Sequence, residues 1–169
     1  MAFRIRTFFI SGAITALAAA IGVPLASAAD DPATLTNGGA PPSMVEDFTY
    51  PGAANILATK GIELKKGDGR ILLTECDQAA DQIRVLTVKD PVAGRDETYC
   101  FRATAKTGYL TLSLPRVFAL EATNHPISAD LTANGATTTV NVDKGGFESV
   151  GEGTVGGARS VLVEIRVTG

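Results

Sequence analysis

Apolar and polar residues alternate in short runs along most of this chain, and glycine, proline, asparagine and aspartate separate the runs. In one such run, Leu110, Leu112 and Leu114 alternate with polar residues before Pro115 closes the segment. A period of two predicts a β-strand, because successive side chains of a strand point to opposite faces of the sheet. The same kind of pattern predicts further strands at residues 62–64, 71–73, 83–88, 99–103, 127–131, 138–142 and 161–167.

Turn residues connect these predicted strands. Asn134-Gly135 predicts a hairpin on a type I′ turn, because both central residues of that turn need positive φ. Another hairpin is expected around residues 66–69, and residues 117–122 are expected to continue the strand before Pro115 in another register. In the last strand, strict alternation predicts that the three valines at odd-numbered positions and Ile165 share one face.

About eight short strands, with no convincing helix among them, predict an all-β fold, an antiparallel β-sandwich. Immunoglobulin-like and jelly-roll-like topologies both fit the strand spacing. The chain has no tryptophan, which an immunoglobulin domain proper packs beside its disulfide. The expected likeness to that domain is therefore one of architecture.

The first 29 residues follow a different pattern. Arg4 and Arg6 precede an apolar stretch at residues 8–25, and the small residues at 26–29 then give way to two aspartates. This order is that of a secretory signal peptide. A membrane anchor, the alternative, needs about 20 apolar residues, whereas serine, threonine, glycine and proline interrupt this stretch. We therefore expect a secreted, extracellular protein with no membrane span once residues 1–29 are removed.

Residues 30–47 consist largely of proline, glycine, alanine, asparagine, threonine and aspartate, with almost no large apolar side chain. Such a segment buries too little surface to offset the entropy lost on ordering it. We expect residues 30–47 to form a flexible N-terminal arm. Residues 48–169 then form the β-sandwich domain, which is long enough to bury about two-thirds of its unfolded surface.

Cys76 and Cys100 are the only two cysteines. An even number of cysteines in an oxidising compartment predicts one structural disulfide, which could join neighbouring strands or span the two sheets. A metal site or redox pair, the alternative, usually brings closely spaced C-x-x-C or histidine partners, and this chain has neither arrangement. No cofactor is expected.

The charge balance argues against nucleic acid as a partner. The chain has 15 Lys and Arg against 18 Asp and Glu, and loss of Arg4 and Arg6 with the signal peptide leaves 13 − 18 = −5. Proteins that bind nucleic acid non-specifically neutralise phosphates with clustered basic residues. Here the basic residues are scattered among more numerous acids.

Four segments carry a resemblance, namely Tyr99-Cys100-Phe101 and residues 108–118, 150–153 and 162–167. With these segments the chain, from about residue 50 to the end, resembles small secreted proteins of actinobacteria. That group is known only as uncharacterised. The resemblance therefore implies a host and a compartment, and it carries over no functional residue.

Catalytic arrangements are weakly represented. His125, the only histidine, precedes Pro126 in an expected loop, and no G-x-S-x-G motif is present, so a serine hydrolase is not predicted. Pairs of carboxylates remain available for a hydrolase of unrecognised type. Few aromatic side chains are present to stack on sugar rings, which weakens a glycosidase or carbohydrate-binding hypothesis.

Two loops and one acidic cluster are the candidate sites. Calcium could bind Glu75, Asp77 and Asp81, although solvated loop acids are the simpler interpretation, since the EF-hand pattern is absent.

Pro91 and Arg95 lie in a polar loop that could mimic a protease substrate. Glu152 and Thr154 lie in the glycine-rich residues 145–157, which we interpret as a mobile loop, since the segment lacks the lysine of a phosphate-binding loop.

These observations leave three functional hypotheses. The favoured one is a non-enzymatic protein that binds an extracellular protein or an envelope polymer, or self-associates, through loops or an edge strand. The others are an inhibitor of an extracellular protease, acting through Arg95, and the hydrolase of unrecognised type.

Overall fold

The computed structural model describes residues 48–77 and 79–169. The predicted signal peptide and N-terminal arm lie outside these residues. The described part contains one α-helix, a short 3-10 helix at Gly151–Gly153 and ten strands. In chain order they are α1 (Ala53–Lys60), β1 (Glu63–Gly67), β2 (Ile71–Thr74), β3 (Gln82–Thr87), β4 (Thr98–Ala103), β5 (Gly108–Pro115), β6 (Val117–Ala122), β7 (Ile127–Ala133), β8 (Ala136–Val142), β9 (Gly146–Ser149) and β10 (Val161–Val167).

The strands form two antiparallel sheets of five strands each. The first sheet has the order β1-β5-β10-β7-β8, and the second has the order β2-β4-β3-β6-β9. Inward side chains of both sheets form one buried cluster, in which Leu110, Leu112 and Ile165 of the first sheet join Phe101 and Leu120 of the second. The predicted all-β antiparallel sandwich is confirmed, with ten strands in place of about eight.

The Asn134-Gly135 hairpin is confirmed. Asn134 has φ 49° and Gly135 has φ 80°, and the turn joins β7 directly to β8. Both residues therefore occupy the left-handed region that the type I′ turn requires. The turn sequence predicted this hairpin correctly because the two strands that it connects are also neighbours in the sheet.

The hairpin expected around residues 66–69 is wrong. β1 pairs with β5 in the first sheet, whereas β2 pairs with β4 in the second. Leu64 and Ile71 are both buried in the core, and they reach it from opposite sheets. The turn residues at 67–69 therefore form a corner between the sheets, and β1 and β2 find their partners in β5 and β4, which lie far from them in the chain.

The predicted continuation of β5 into residues 117–122 is also wrong. These residues form β6, a separate strand of the second sheet. Arg116, with φ 61°, is the single residue between the two strands, and its N–H donates to the carbonyl of Ser160 at 2.7 Å. A left-handed residue turns the chain sharply, so the strand leaves one sheet and enters the other.

Helix α1 was not predicted from the sequence. It is eight residues long, lies between Gly52 and Gly61, which are both left-handed, and has no fully buried residue. Only Ala53 and Ile56 pack against the core. So short and weakly apolar a segment shows little helical periodicity. In the described part of the chain, no helix is long and apolar enough to cross a membrane.

Two predictions for the C-terminal part need correction. Residues 145–157 are not one mobile loop, since they contain β9 and the 3-10 helix.

In β10, a β-bulge between Leu162 and Glu164 interrupts the alternation, and the buried residues are Leu162, Ile165 and Val167. A bulge adds one residue to a strand and so moves later side chains to the other face.

The disulfide between Cys76 and Cys100 is confirmed. Cys100 lies on β4 opposite Thr74, the last residue of β2, and Cys76 follows two residues later. The bridge therefore joins neighbouring strands of the second sheet. It does not span the two sheets, which was the other arrangement that the sequence left open.

Candidate functional site

One lateral side of the sandwich, where β1 and β2 are the edge strands, is covered by the chain itself. Residues 48–50 run along β1, where the Tyr50 N–H donates to the Lys65 carbonyl and the Gly67 N–H to the Phe48 carbonyl, both at 2.9 Å. On β2 the Leu73 N–H donates to Tyr50 Oη at 2.8 Å. These contacts use edge groups that would otherwise be free to bind another strand.

In residues 48–77 and 79–169, the opposite lateral side is open at β8. This strand has the sequence ATTTVNV, with no charge and no proline, and Ala136 to Thr139 are exposed. Within the described part of the chain, β8 pairs with β7 alone. Natural edge strands are usually short, charged, bulged or covered, and among the residues that the structure describes β8 has none of these protections.

The register shows which backbone groups of β8 are free. Ala133 and Ala136 close the two-residue turn, so they form a hydrogen-bonded pair, and such pairs recur at every second residue. Thr138, Val140 and Val142 therefore bond to β7. The N–H and C=O groups of the intervening residues point away from β7, and these residues are Thr137, Thr139 and Asn141.

Side chains hold this edge in place. On the outer face, Thr139 Oγ1 donates to Asp130 Oδ1 at 2.6 Å, and the hydroxyls of Thr137 and Thr132 lie 2.8 Å apart. On the inner face, Thr138 and Val140 line a mostly apolar cavity of about 320 Å³ between the sheets. Hydrogen-bonded threonines on a paired strand give a pre-ordered edge, which lowers the entropy lost when another strand binds.

The neighbouring edge of the second sheet is β9, which is only four residues long. Glu148 of β9 is exposed and lies opposite the buried Leu120 of β6. A short edge with a charge on its inward side discourages strand addition. On this side of the sandwich, β8 is therefore the accessible edge.

The loop containing Glu152 and Thr154 is fixed by its own contacts. Arg116 donates to both carboxylate oxygens of Glu152, from Nε to Oε1 at 2.9 Å and from Nη2 to Oε2 at 2.5 Å. This bonding lowers the pKa of Glu152 and raises the pKa of Arg116. Thr154 Oγ1 donates to the Gly151 carbonyl at 2.8 Å. Both predicted loop residues therefore serve the local structure of the loop.

Glu152→Gln is expected to destabilise the protein at neutral pH and to have little effect in strong acid. Because the pKa of Glu152 is lowered in the folded state, its contribution is present above the unfolded pKa of about 4.3 and is lost as the pH falls through the lower folded pKa. Urea unfolding of both proteins between about pH 7 and pH 2 measures this difference. Arg116→Gln breaks the same pair and should give the same profile, whereas a difference from wild type that is independent of pH would contradict the assignment.

The loop containing Pro91 and Arg95 does not present its arginine to solvent. Arg95 is only 6% exposed; its Nε donates to the Val88 carbonyl at 2.9 Å, and its Nη2 lies 3.4 Å from Asp90 Oδ2. Pro91 is exposed beside it, and Val92 is the exposed tip. A guanidinium that closes its own loop cannot at the same time enter the pocket of a protease.

The acidic candidates are paired with cations. Glu75 lies 3.1 Å from Lys60, and Arg102 lies 3.9 Å from Asp77 and 3.2 Å from Asp81. Among residues 48–77 and 79–169, no group of three or more His, Cys, Asp or Glu side chains is placed to hold a metal ion. We therefore propose no metal site at these residues.

The only histidine, His125, contacts the end of the chain. Its Nδ1 lies 2.8 Å from the carbonyl oxygen of Gly169.

Two further cavities adjoin each other near α1. One, of about 340 Å³, is mostly apolar and is lined by Tyr50, Ile56 and Leu72 among others. The other, of about 320 Å³, contains Lys89 and Tyr99 together with the disulfide. Burial raises the pKa of Tyr99, whose hydroxyl bonds to the Lys60 carbonyl. This phenol is a structural anchor between α1 and β4.

No protein-family model matches this chain. A search of curated proteins also finds no match. In the geometry of the molecule, β8 is the feature best suited to contact a partner.

Proposed function

We propose that this chain is a secreted, non-enzymatic binding protein whose partner adds a strand to the open β8 edge. The observation that carries the proposal is the exposed, uncharged β8, whose Thr137, Thr139 and Asn141 direct backbone groups away from β7. Strand addition supplies affinity through main-chain hydrogen bonds. The partner is a polypeptide, because only a peptide backbone repeats N–H and C=O groups at the spacing of a strand.

The charged residues support a role without catalysis. The closest oppositely charged side chains satisfy one another, as in the pairs Arg116 with Glu152 and Arg84 with Glu121. A general acid or base needs a titratable group that faces a bound substrate. The disulfide and the predicted signal peptide support export, because disulfides persist in oxidising compartments.

The test compares three forms of the mature chain, residues 30–169, as bait for culture fluid and wall fractions of the producing organism. Thr139→Pro removes an outward N–H that β7 does not use, so the fold should survive while strand addition is blocked. Thr139→Val is the matched control, since it removes the hydroxyl and keeps the N–H. We expect wild type and Thr139→Val to retain the same polypeptide, and Thr139→Pro to retain at least about tenfold less.

Circular dichroism and thermal unfolding of each bait establish that the proline variant is folded. Equal retention by all three forms would move the binding site away from β8. Retention on purified wall polymer alone would contradict a polypeptide partner, and turnover of a small molecule by the purified chain would contradict the non-enzymatic assignment.

A further inference from the structure

We infer that the polypeptide bound by β8 is a second copy of this chain, paired antiparallel through β8 about a two-fold axis at Thr139. The inference rests on the proposed function, since it names the occupant of the same edge. The two copies would join their five-stranded sheets into one continuous sheet across the axis. Such an interface is isologous, because each copy contributes the same strand.

The spacing of the free backbone groups selects this axis. Thr137, Thr139 and Asn141 are symmetric about Thr139, so an axis there pairs Thr139 with its counterpart and Thr137 with Asn141 of the second copy. All the outward groups are then used, in about six hydrogen bonds. An axis at Thr138 would place Asn141 opposite the turn of the second copy, and an axis at Val140 would place Thr137 beyond the end of the second copy's strand. With either axis only about four hydrogen bonds would form.

The side chains brought together are compatible with self-pairing. On the outer face, Thr139 meets Thr139 of the second copy and Thr137 meets Asn141, while on the inner face Thr138 meets Val140. Cross-strand threonine pairs are favourable, and like charges placed directly opposite each other would be unfavourable. No charged residue occurs in β8, so no such repulsion arises along the strand.

The nearest acids are far enough apart to be screened. Asp130 lies on β7 opposite Thr139, so the Asp130 side chains of the two copies would be separated by three strand spacings, or about 14 Å. The Debye length is about 8 Å at physiological ionic strength. The negative net charge of the chain therefore opposes this contact only weakly.

Closure of the assembly follows from the other edges. Residues 48–50 cover β1, Tyr50 bonds to the edge of β2, and β9 is short and contains Glu148. In the described part of the molecule, the best match for β8 is thus β8 of another copy. A contact between identical patches closes at two copies, whereas a contact between different edges would continue into a fibre.

Analytical ultracentrifugation of the mature chain, with its disulfide intact, tests for self-association over a concentration series up to about 1 mM. We expect a reversible monomer–dimer equilibrium for wild type and for Thr139→Val. Thr139→Pro should weaken it by about 10- to 100-fold, because two of about six hydrogen bonds are lost at the axis. A wild-type chain that is monomeric throughout, or a dimer insensitive to Thr139→Pro, would overturn the inference.

Cross-linking tests the position of the axis. In a hydrogen-bonded antiparallel pair the Cα atoms lie about 5.5 Å apart, within the range that a disulfide spans. Thr139→Cys should therefore give a covalent dimer on mild oxidation, while Thr59→Cys, on the exposed surface of α1, should remain monomeric. Equal cross-linking of both variants would overturn an axis at Thr139.

The inference and the proposed function can fail separately. If wild type is monomeric and Thr139→Pro still abolishes retention of a different polypeptide, the second copy is excluded as the occupant and the edge remains the binding site. If retention and self-association are both unaffected by Thr139→Pro, both proposals are wrong.

Discussion

Replacing both Cys76 and Cys100 with alanine is expected to lower the free energy of unfolding by about 3–4 kcal/mol. The two residues are 24 positions apart, and a cross-link that closes a loop of this size removes that much conformational freedom from the unfolded chain in the chain-entropy model. The bridge ties the end of β2, a four-residue edge strand, to β4. We therefore expect β2 to be the element most exposed to local opening once the bridge is removed.

Urea unfolding with and without a reductant measures this contribution. Wild type should lose a similar increment on reduction, and the double alanine variant should not respond to the reductant. Hydrogen exchange at Ile71 to Thr74 would report the local opening of β2. A variant within about 1 kcal/mol of wild type would show that the bridge restrains the unfolded chain much less than its loop length implies.

Gly61→Ala is expected to lower the free energy of unfolding by about 2–4 kcal/mol. Gly61 ends α1 in the left-handed conformation, with φ 61°, which costs a residue with a side chain about 1–2 kcal/mol. A Cβ atom at this position would also lie 2.3 Å from the Ala93 carbonyl oxygen and 2.8 Å from the Gly94 carbonyl carbon. The backbone of the loop closed by Asp90 and Arg95 would therefore have to move.

Gly69→Ala separates the two costs. Gly69 has φ 77°, but a Cβ there would meet nothing within 4 Å, so only the backbone strain of about 1–2 kcal/mol is expected. Thermal and urea unfolding of the two variants compare them directly. Equal destabilisation would mean that the loop yields without cost at Gly61, and the close approach of α1 to that loop would then not contribute to stability.

The secondary structure was predictable where local sequence and tertiary partner agree. Alternation identified β5, and Asn134-Gly135 identified the β7–β8 hairpin, because strand pattern and turn chemistry are properties of neighbouring residues. Prediction failed at residues 66–69 and at Arg116, where the chain passes between the sheets. A turn sequence specifies a change of direction, and the burial of both apolar faces then decides which strand is paired.

For the candidate sites, too, the local sequence was informative and the tertiary contacts were not predictable. The sequence identified Glu75, Glu152 and Arg95 as polar residues in loops, but each has a partner distant in the chain or is turned inward. Contacts such as that between Arg116 and Glu152, 36 residues apart, are not encoded by spacing. The sequence does contain a signal for an open edge, since the strand after Asn134-Gly135 has neither a charged residue nor a proline.

The sequence by itself determined the all-β class and the disulfide, and it placed most of the strands, because these follow from side-chain alternation, turn residues and a single pair of cysteines. It also supports the expectation of export. Only the tertiary structure decided that β8 is an open edge of the described part of the chain, while residues 48–50 and Tyr50 cover the edges of β1 and β2. An edge is defined by which strands are neighbours, and that depends on how two sheets bury their apolar faces together rather than on any local run of residues.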